Sequence, residues 1–377
     1  MLQRAVHDDP EASSRRVGFL QAANIAGCTA GSLAVGLLGL DLLGTTGCLR
    51  ALLACGVVLA LVGVWREGWR SRFLPFAIGL ALMAALVPGQ ERFWRRFHGV
   101  TDPAAVALLA EDASGVGMIS QGGPGWAVTI DGLYHSWLPF GGVHTSLGAF
   151  GALVHPRPEK VAVIGLASGD TPWALGLRSE TLSVTVFEIF RSQEMLLRRA
   201  ARCLPATELD PLRAFLSDPR VRIVPSDGRH AIERTTERFD VIESDALWPE
   251  AAFAGNLYSR EFFETVKSRL RPGGVFVVWA PVRRVRRTLR ATFSEVICVE
   301  KGVCLASVDP VTIDTATWSQ RLDRPEVQRY LADADRIEGV RLMLATANRL
   351  TGHPKTDFNQ DLFPRDELLT PASPSEP

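Results

Sequence analysis

Several residues suited to chemistry stand in the same kind of place, just after a short apolar run. "FDVIESDALWP" ends such a run and delivers Asp245. A carboxylate there either caps the loop or accepts a proton from an amine nucleophile within hydrogen-bond reach. "VAVIGLASGDT" leads through Gly165 and Gly169, which allow a tight turn and close approach to a ligand, to Asp170. About twenty residues further on, "LSVTVFEI" brings Glu188 to the position where an acid accepts hydrogen bonds from ribose hydroxyls. "VRIVPSDGRHA" supplies Asp227 and Gly228, with Asp227 either meeting an adenine edge or capping a helix. Upstream, "LYHSWLPFGGVHT" carries His135 and His144 in a Gly/Trp-rich loop, where neutral imidazole orients a substrate or takes a proton near pH 7. Trp137, Trp173 and Trp248 either wall a pocket for a cationic or flat acceptor or pack in the core.

These positions imply the elements beneath them. From Lys160 onward, strands at 160–165, 182–189, 221–225, 239–244 and 275–280 alternate with helical stretches such as "RSQEMLLRRAARCL" and "SREFFETVKSRL". Nearly continuous apolar strands between helices predict a parallel, doubly wound α/β sheet covered on both faces. Ligands of such a sheet lie outside the carboxyl ends of its strands, where all of these residues stand. "SEVICVE" and "GVCLASV" predict a closing hairpin at the sheet edge. "GVGMIS" and "WAVTIDG", on either side of "QGGPG", predict a small β-hairpin region ahead of the main domain.

The first ninety residues differ in character. Val17 to Trp65 contains only Asp41 and Arg50 as charged residues, and Phe73 to Gln90 contains none. Three membrane spans are expected, over 17–43, 47–64 and a shorter 73–87, each approaching the roughly 20 apolar residues that cross a bilayer. Gly27 and Gly31, four apart, suit close helix packing in lipid or a tolerant lipid-facing helix. Arginine clusters at 15–16, 66–72 and 92–96 cannot all lie on one side of three spans. The resulting organisation is a polar N-terminus (1–16), a membrane region (17–90), a linker with the β-hairpin (91–141), an α/β domain (142–310) and a helical extension with a disordered tail (311–377). With 41 basic and 41 acidic side chains the formal net charge is zero, which argues against nucleic acid as a partner. Six cysteines without a CxxC pair suggest neither a zinc site nor a disulfide framework, and no metal is expected.

Over roughly 115–280 the sequence resembles the spermidine synthase family of polyamine aminopropyltransferases. "HPRPEKVAVIGLASGDT" is similar to that family's "HPNPKRVLVIGGGDGGT", and "DPRVRIVPSDGRHAIERTTERFDVIESDA" to its "DPRVEVVIGDGREFLRETDEKYDVIIVDS". "NLYSREFFETVKSRLRPGGVFVVW" continues the match. "AANIAGCTAGSLAVGLLG" is similar to helices of bacterial membrane proteins that carry such a domain after a transporter-like bundle. The resemblance implies a Rossmann-like, class I methyltransferase-like fold, and decarboxylated S-adenosylmethionine as donor. It assigns Gly165, Gly169, Glu188 and Asp227 to that donor and makes Asp245 the acid that deprotonates the attacking amine. Beside these, Asp170 and Gly228 are expected at the donor, His144 as a second catalytic group, and His135, Trp248 and Tyr258 around the acceptor. The resemblance also implies a homodimer, and an inner-membrane, multi-pass protein whose α/β domain is cytoplasmic, in contact with the lipid bilayer and a small amine.

The departures fall on the acceptor side. The family's Asp-Ser-Ser-Asp-Pro reads "DALWP", so its second acid is Trp248, and its Tyr-His-Glu reads Val143-His144-Thr145. The acid of its glycine-rich loop is Ser168. A diamine needs several carboxylates in place of its hydration, so an acceptor other than putrescine is expected. Two further readings remain open: a methyltransferase using S-adenosylmethionine, which needs a partner for the donor carboxylate near 168–171, and a non-catalytic domain that senses a nucleoside or polyamine.

Overall fold

The computed structural model describes residues 10–68, 72–123, 125–204, 209–245, 247–352 and 356–368; the expected disordered tail lies almost wholly outside them. The chain forms two compact units, Met1–Pro103 with Glu111–Gly115, and Ala104–Ala110 with Val116–Pro377.

In the first unit, helix α1 (Pro10–Ala34) runs through a π turn (Val35–Gly39) into α2 (Leu40–Glu67). The run Val17–Glu67 is long and apolar enough to cross a membrane. It is interrupted at Gly44, whose φ of 64° and ψ of 178° are not helical, between the first and second spans expected from sequence. The orphan N–H of Thr45 past this break donates to Glu111 at 2.7 Å, as an acid should at a helix start. The third apolar stretch forms α3 (Phe73–Leu86), too short to cross alone, and bends by 79° into α4 (Gln90–Phe97). Close packing falls at Gly56 and Gly63 of α2, where an added Cβ would meet Leu80 at 2.9 Å and Phe73 at 2.8 Å. Small residues let the two backbones approach. Nothing among the described residues lies within 4 Å of a Cβ built on Gly27 or Gly31.

The second unit begins with a four-stranded sheet, β1 (Ala107–Asp112), β2 (Gly115–Gly122), β3 (Gly125–Ile130) and β4 (Leu133–Leu138), in that order. The expected hairpin is its middle pair. The stretch read as a Gly/Trp-rich loop is instead β4 followed by helix α5 (Gly142–Val154), because Ser136 and Leu138 alternate inward as a strand requires.

The main sheet has eight strands in the order β12-β10-β11-β9-β8-β5-β6-β7. β5 (Lys160–Ile164), β6 (Ser183–Glu188), β7 (Val221–Pro225), β8 (Phe239–Ser244) and β9 (Leu270–Trp279) are parallel. β10 (Glu295–Cys298), β11 (Val303–Ser307) and the short β12 (Asn348–Arg349) are antiparallel. This is the doubly wound α/β architecture expected from the strand-helix alternation. The order reverses at β5, which lies between β6 and β8, so ligands are expected beyond the ends of these strands.

Both faces are covered. One packs Val161, Val163, Val241 and Val277 under α5, α6 (Asp170–Leu175), α7 (Gln193–Cys203) and α8 (Asp210–Ser217). The other packs Ile164, Ile242, Phe276 and Val278 under α9 (Gly228–Arg234), α10 (Gly255–Tyr258), α11 (Arg260–Arg269) and α12 (Arg283–Thr292). Helices α13 (Thr315–Leu322), α14 (Pro325–Leu331) and α15 (Ala334–Ala345) join the first face through Trp318, Leu331 and Leu344. Cys298 and Cys304, directly opposed in the β10–β11 register, form a disulfide. Their six-residue separation carries no motif; only the hairpin register brings them together.

Candidate active site

β8 ends at Ser244, and the next residue, Asp245, lies at the sheet's carboxyl edge with its main-chain N–H on Ile164 of β5. Its Oδ2 accepts from the Thr171 hydroxyl at 2.6 Å and lies 2.7 Å from His144 Nδ1. His144 comes from the first turn of α5 and Thr171 from α6, so three elements converge on one carboxylate oxygen. Neither bond uses Oδ1, the oxygen left for a substrate N–H.

Burial disfavours the His144 cation, but the Asp245 carboxylate outweighs it, with help from Asp170 and the His135 main chain, and raises the imidazole pKa to about 9. The same pairing overcomes burial at Asp245 and holds its pKa below the usual carboxylate value. His144 is therefore an imidazolium at neutral pH. This corrects the expectation of a neutral imidazole base; the histidine is a fixed counter-charge that orients Asp245.

Thr171 was quoted in the glycine-rich stretch without a role, and its contact with Asp245 could not be read there because it depends on α6 turning back over β8. Beneath Asp245 lies a second acid that sequence reasoning passed over. Glu243 is fully buried on β8, and neither side-chain oxygen has a hydrogen-bond partner. Desolvation, reinforced by Asp245, raises its pKa well above the ordinary value. The neighbouring Ser244 hydroxyl is also buried without a partner. The family stretch quoted above has Ile-Val at these two positions, which was the available signal.

Asp245 and His144 open into a cavity of about 240 Å³ whose walls include Tyr134, Trp137, Trp248 and Trp279. Trp248 stands edge-on to Trp279, with ring centroids 4.5 Å apart. His135 and Leu147 also line it. Trp173 does not: it is 2% exposed and stacks on Tyr330 in the core. Tyr258 is buried, and its hydroxyl donates to the Leu247 carbonyl at 2.7 Å. It therefore fixes the loop after Asp245 rather than facing the cavity.

On the donor side, Gly165 and Gly169 have φ of 99° and 92°, as the turn after β5 requires. Ala167 has φ of 43°, a left-handed conformation that a side chain tolerates poorly. Glu188 closes the loop by accepting from Leu166 N at 2.7 Å and Phe190 N at 2.8 Å. The main-chain N–H groups of Ala167 and Ile189 also bond to this carboxylate. Asp170, which burial raises to about 6 against its hydrogen bonds, accepts from Thr145 at 2.6 Å and Gly141 N at 2.7 Å. It thus braces α5 rather than facing a ligand. Asp227 caps α9 through His230 N at 2.9 Å, and a Cβ on Gly228 would lie 2.4 Å from Ile164. The cap uses Oδ1 of Asp227. Among the described residues no group of three His, Cys, Asp or Glu side chains could hold a metal.

Comparison with known proteins gives this geometry its context. Residues 141–289 match the family described as the spermine/spermidine synthase domain. The chain is 32% identical over 188 residues to polyamine aminopropyltransferase 2 of Hyperthermus butylicus, covering 47% of this chain and 58% of that protein. It is 30% identical over 154 residues to polyamine aminopropyltransferase 2 of Pseudomonas aeruginosa, covering 38% and 42%. The spermidine synthase structure from Thermotoga maritima aligns with a TM-score of 0.45 at 20% identity, covering 54% of this chain and 73% of that one. The chain thus spans about half the length of these curated relatives. The matched stretch begins one residue before α5 and ends within α12, so it contains His144, Thr171, Glu188, Asp227 and Asp245.

Proposed function

We propose that this protein is a membrane-anchored transferase that moves an aminopropyl group from decarboxylated S-adenosylmethionine to an amine other than putrescine. The observation that carries this reading is Asp245, bonded to His144 and Thr171 through one oxygen while lining an aromatic cavity with the rest of its carboxylate. In the reaction the amine nitrogen attacks the methylene carbon beside the sulfonium. The carbon–sulfur bond breaks with its electron pair going to sulfur, 5'-methylthioadenosine leaves, and Asp245 accepts the proton released by the nitrogen. His144, as a cation, keeps the carboxylate ionised and in place until that transfer.

Two features favour this donor and an unusual acceptor. The loop Ser168–Thr171 offers an acid and no base, and Thr171 is committed to Asp245, so a donor carboxylate would find no cationic partner there. The cavity is lined by one carboxylate, already paired with an imidazolium, and by four aromatic rings. That suits an amine with one positive charge and an apolar or flat body better than a diamine.

The test is calorimetric titration of the full chain with decarboxylated S-adenosylmethionine and S-adenosylmethionine in parallel, followed by an amine screen for methylthioadenosine release. Preference for the decarboxylated donor is expected. Preference for S-adenosylmethionine would replace the reading by methyl transfer, and binding without turnover of any amine would replace it by a sensing domain.

A further inference from the structure

Helix α4 has eight residues arranged as four pairs spaced i, i+4, and only one pair lacks a partner. Gln90 and Trp94 both donate to Glu111, Trp94 at 2.8 Å. Glu91 and Arg95 pair at 3.8 Å, and Arg95 also donates to the Asp102 carbonyl at 2.7 Å. Phe93 and Phe97 stack with centroids 6.5 Å apart. Arg92 and Arg96 are exposed, and no described residue gives either side chain a hydrogen bond or an ion pair. Like charges one helical turn apart repel, so this pair is a standing cost unless an anion sits between them.

The surroundings define that anion. Arg92 and Arg96 line a cavity of about 440 Å³ with Ala85, Leu86, Val87 and Pro88, the end of apolar helix α3 and the bend that follows. A third guanidinium, Arg50 of α2, donates to the Val87 carbonyl at 2.7 Å beside it. Leu82, Met83 and Leu86 continue from the cavity as exposed hydrocarbon, Leu86 at 79%. A soluble anion would use the guanidinium groups and leave this apolar strip bare. An anion carrying acyl chains uses both.

We propose that Arg92 and Arg96 form a binding site for the phosphate headgroup of an anionic glycerophospholipid, whose chains lie along α3. The site rests on the membrane reading of the apolar helices. α4, bent by 79° from α3 and aromatic on its Phe93–Phe97 face, has the composition of a helix lying at the headgroup level. A net negative headgroup is favoured over a choline headgroup, whose quaternary ammonium would face the same two cations.

The full chain is reconstituted in vesicles of phosphatidylcholine and phosphatidylglycerol in equal amounts, extracted mildly, and its retained lipid quantified by native mass spectrometry. The expected result is several-fold enrichment of phosphatidylglycerol, abolished in R92Q/R96Q and kept in R66Q/R72Q, which removes the same charge elsewhere. Equal enrichment in all three proteins, or equal loss in both variants, would overturn the site. Displacement of phosphatidylglycerol by inorganic phosphate alone would overturn the lipid assignment in favour of a soluble anion. Release of all three proteins from vesicles by alkaline carbonate would overturn the membrane reading itself.

Discussion

His144 and Asp245 are coupled charges, and their coupling is measurable. The imidazole pKa is raised from 6.5 to about 9, so the stabilisation it brings is full below pH 6.5 and is lost as pH rises to about 9. H144Q should flatten stability across that window, where the native protein loses up to about 3 kcal/mol, read by chemical denaturation at a series of pH values. D245N should lower turnover at least ~100-fold while leaving donor affinity within a few-fold, because Gly165, Gly169 and Glu188, the residues proposed to hold the donor, lie at the ends of other strands. Loss of donor binding in that variant would make Asp245 structural. Glu243 shifts in the same direction for a different reason. As an acid whose folded pKa is raised, it contributes most below 4.5 and progressively less as pH rises towards the folded value. Asp245 is the charge that acts on it, and His144, Thr171 and Asp170 in turn act on that cluster. E243I should therefore raise stability near pH 7 by about 1–3 kcal/mol and remove this slope. Asp245 itself was legible in the sequence because an acid after an apolar strand is a recognisable pattern. Its partners were not, because Thr171 and His144 reach it from 74 and 101 residues away.

At the level of elements, four of the five parallel strands could be read to within a residue at each end, while β9 begins five residues before the expected 275. β5, β6, β8 and β9 are largely buried and rich in Val, Ile and Phe, as "VFVVW" is, whereas the edge strand β7 is partly exposed and carries Arg222. The small sheet was harder. β1 ("ALLAED") has no β-branched residue, and β4 mixes His, Ser and Trp. Turn chemistry likewise became interpretable only with dihedral angles. Ala167 occupies a left-handed position where the resembling family has glycine. A167G should then stabilise the loop after β5 by about 1 kcal/mol, visible as a rise in Tm. Gly228 gives the opposite expectation. A methyl there would press on Ile164, so G228A should lower stability by about 1–3 kcal/mol whether or not a donor is bound. A donor-dependent effect alone would return Gly228 to the ligand-binding role expected from sequence.

For the whole molecule, the Cys298–Cys304 bond bears on which side of a membrane the α/β domain faces. Disulfides persist in oxidising compartments and are rare in the cytosol. Alkylation of the chain isolated from its membranes under non-reducing conditions should leave both cysteines unmodified if the domain faces an oxidising compartment. Complete labelling of the denatured chain would favour the cytoplasmic side implied by the family resemblance. The covering of α5 has a consequence of another kind. Arg321 donates to the Leu153 carbonyl, 168 positions earlier, and Arg336 to that of Phe140, 196 positions earlier. On the ribosome, the apolar helices of the first unit emerge long before these arginines. The nascent α5 must therefore wait, with one side uncovered, until Arg321 and Arg336 have been translated.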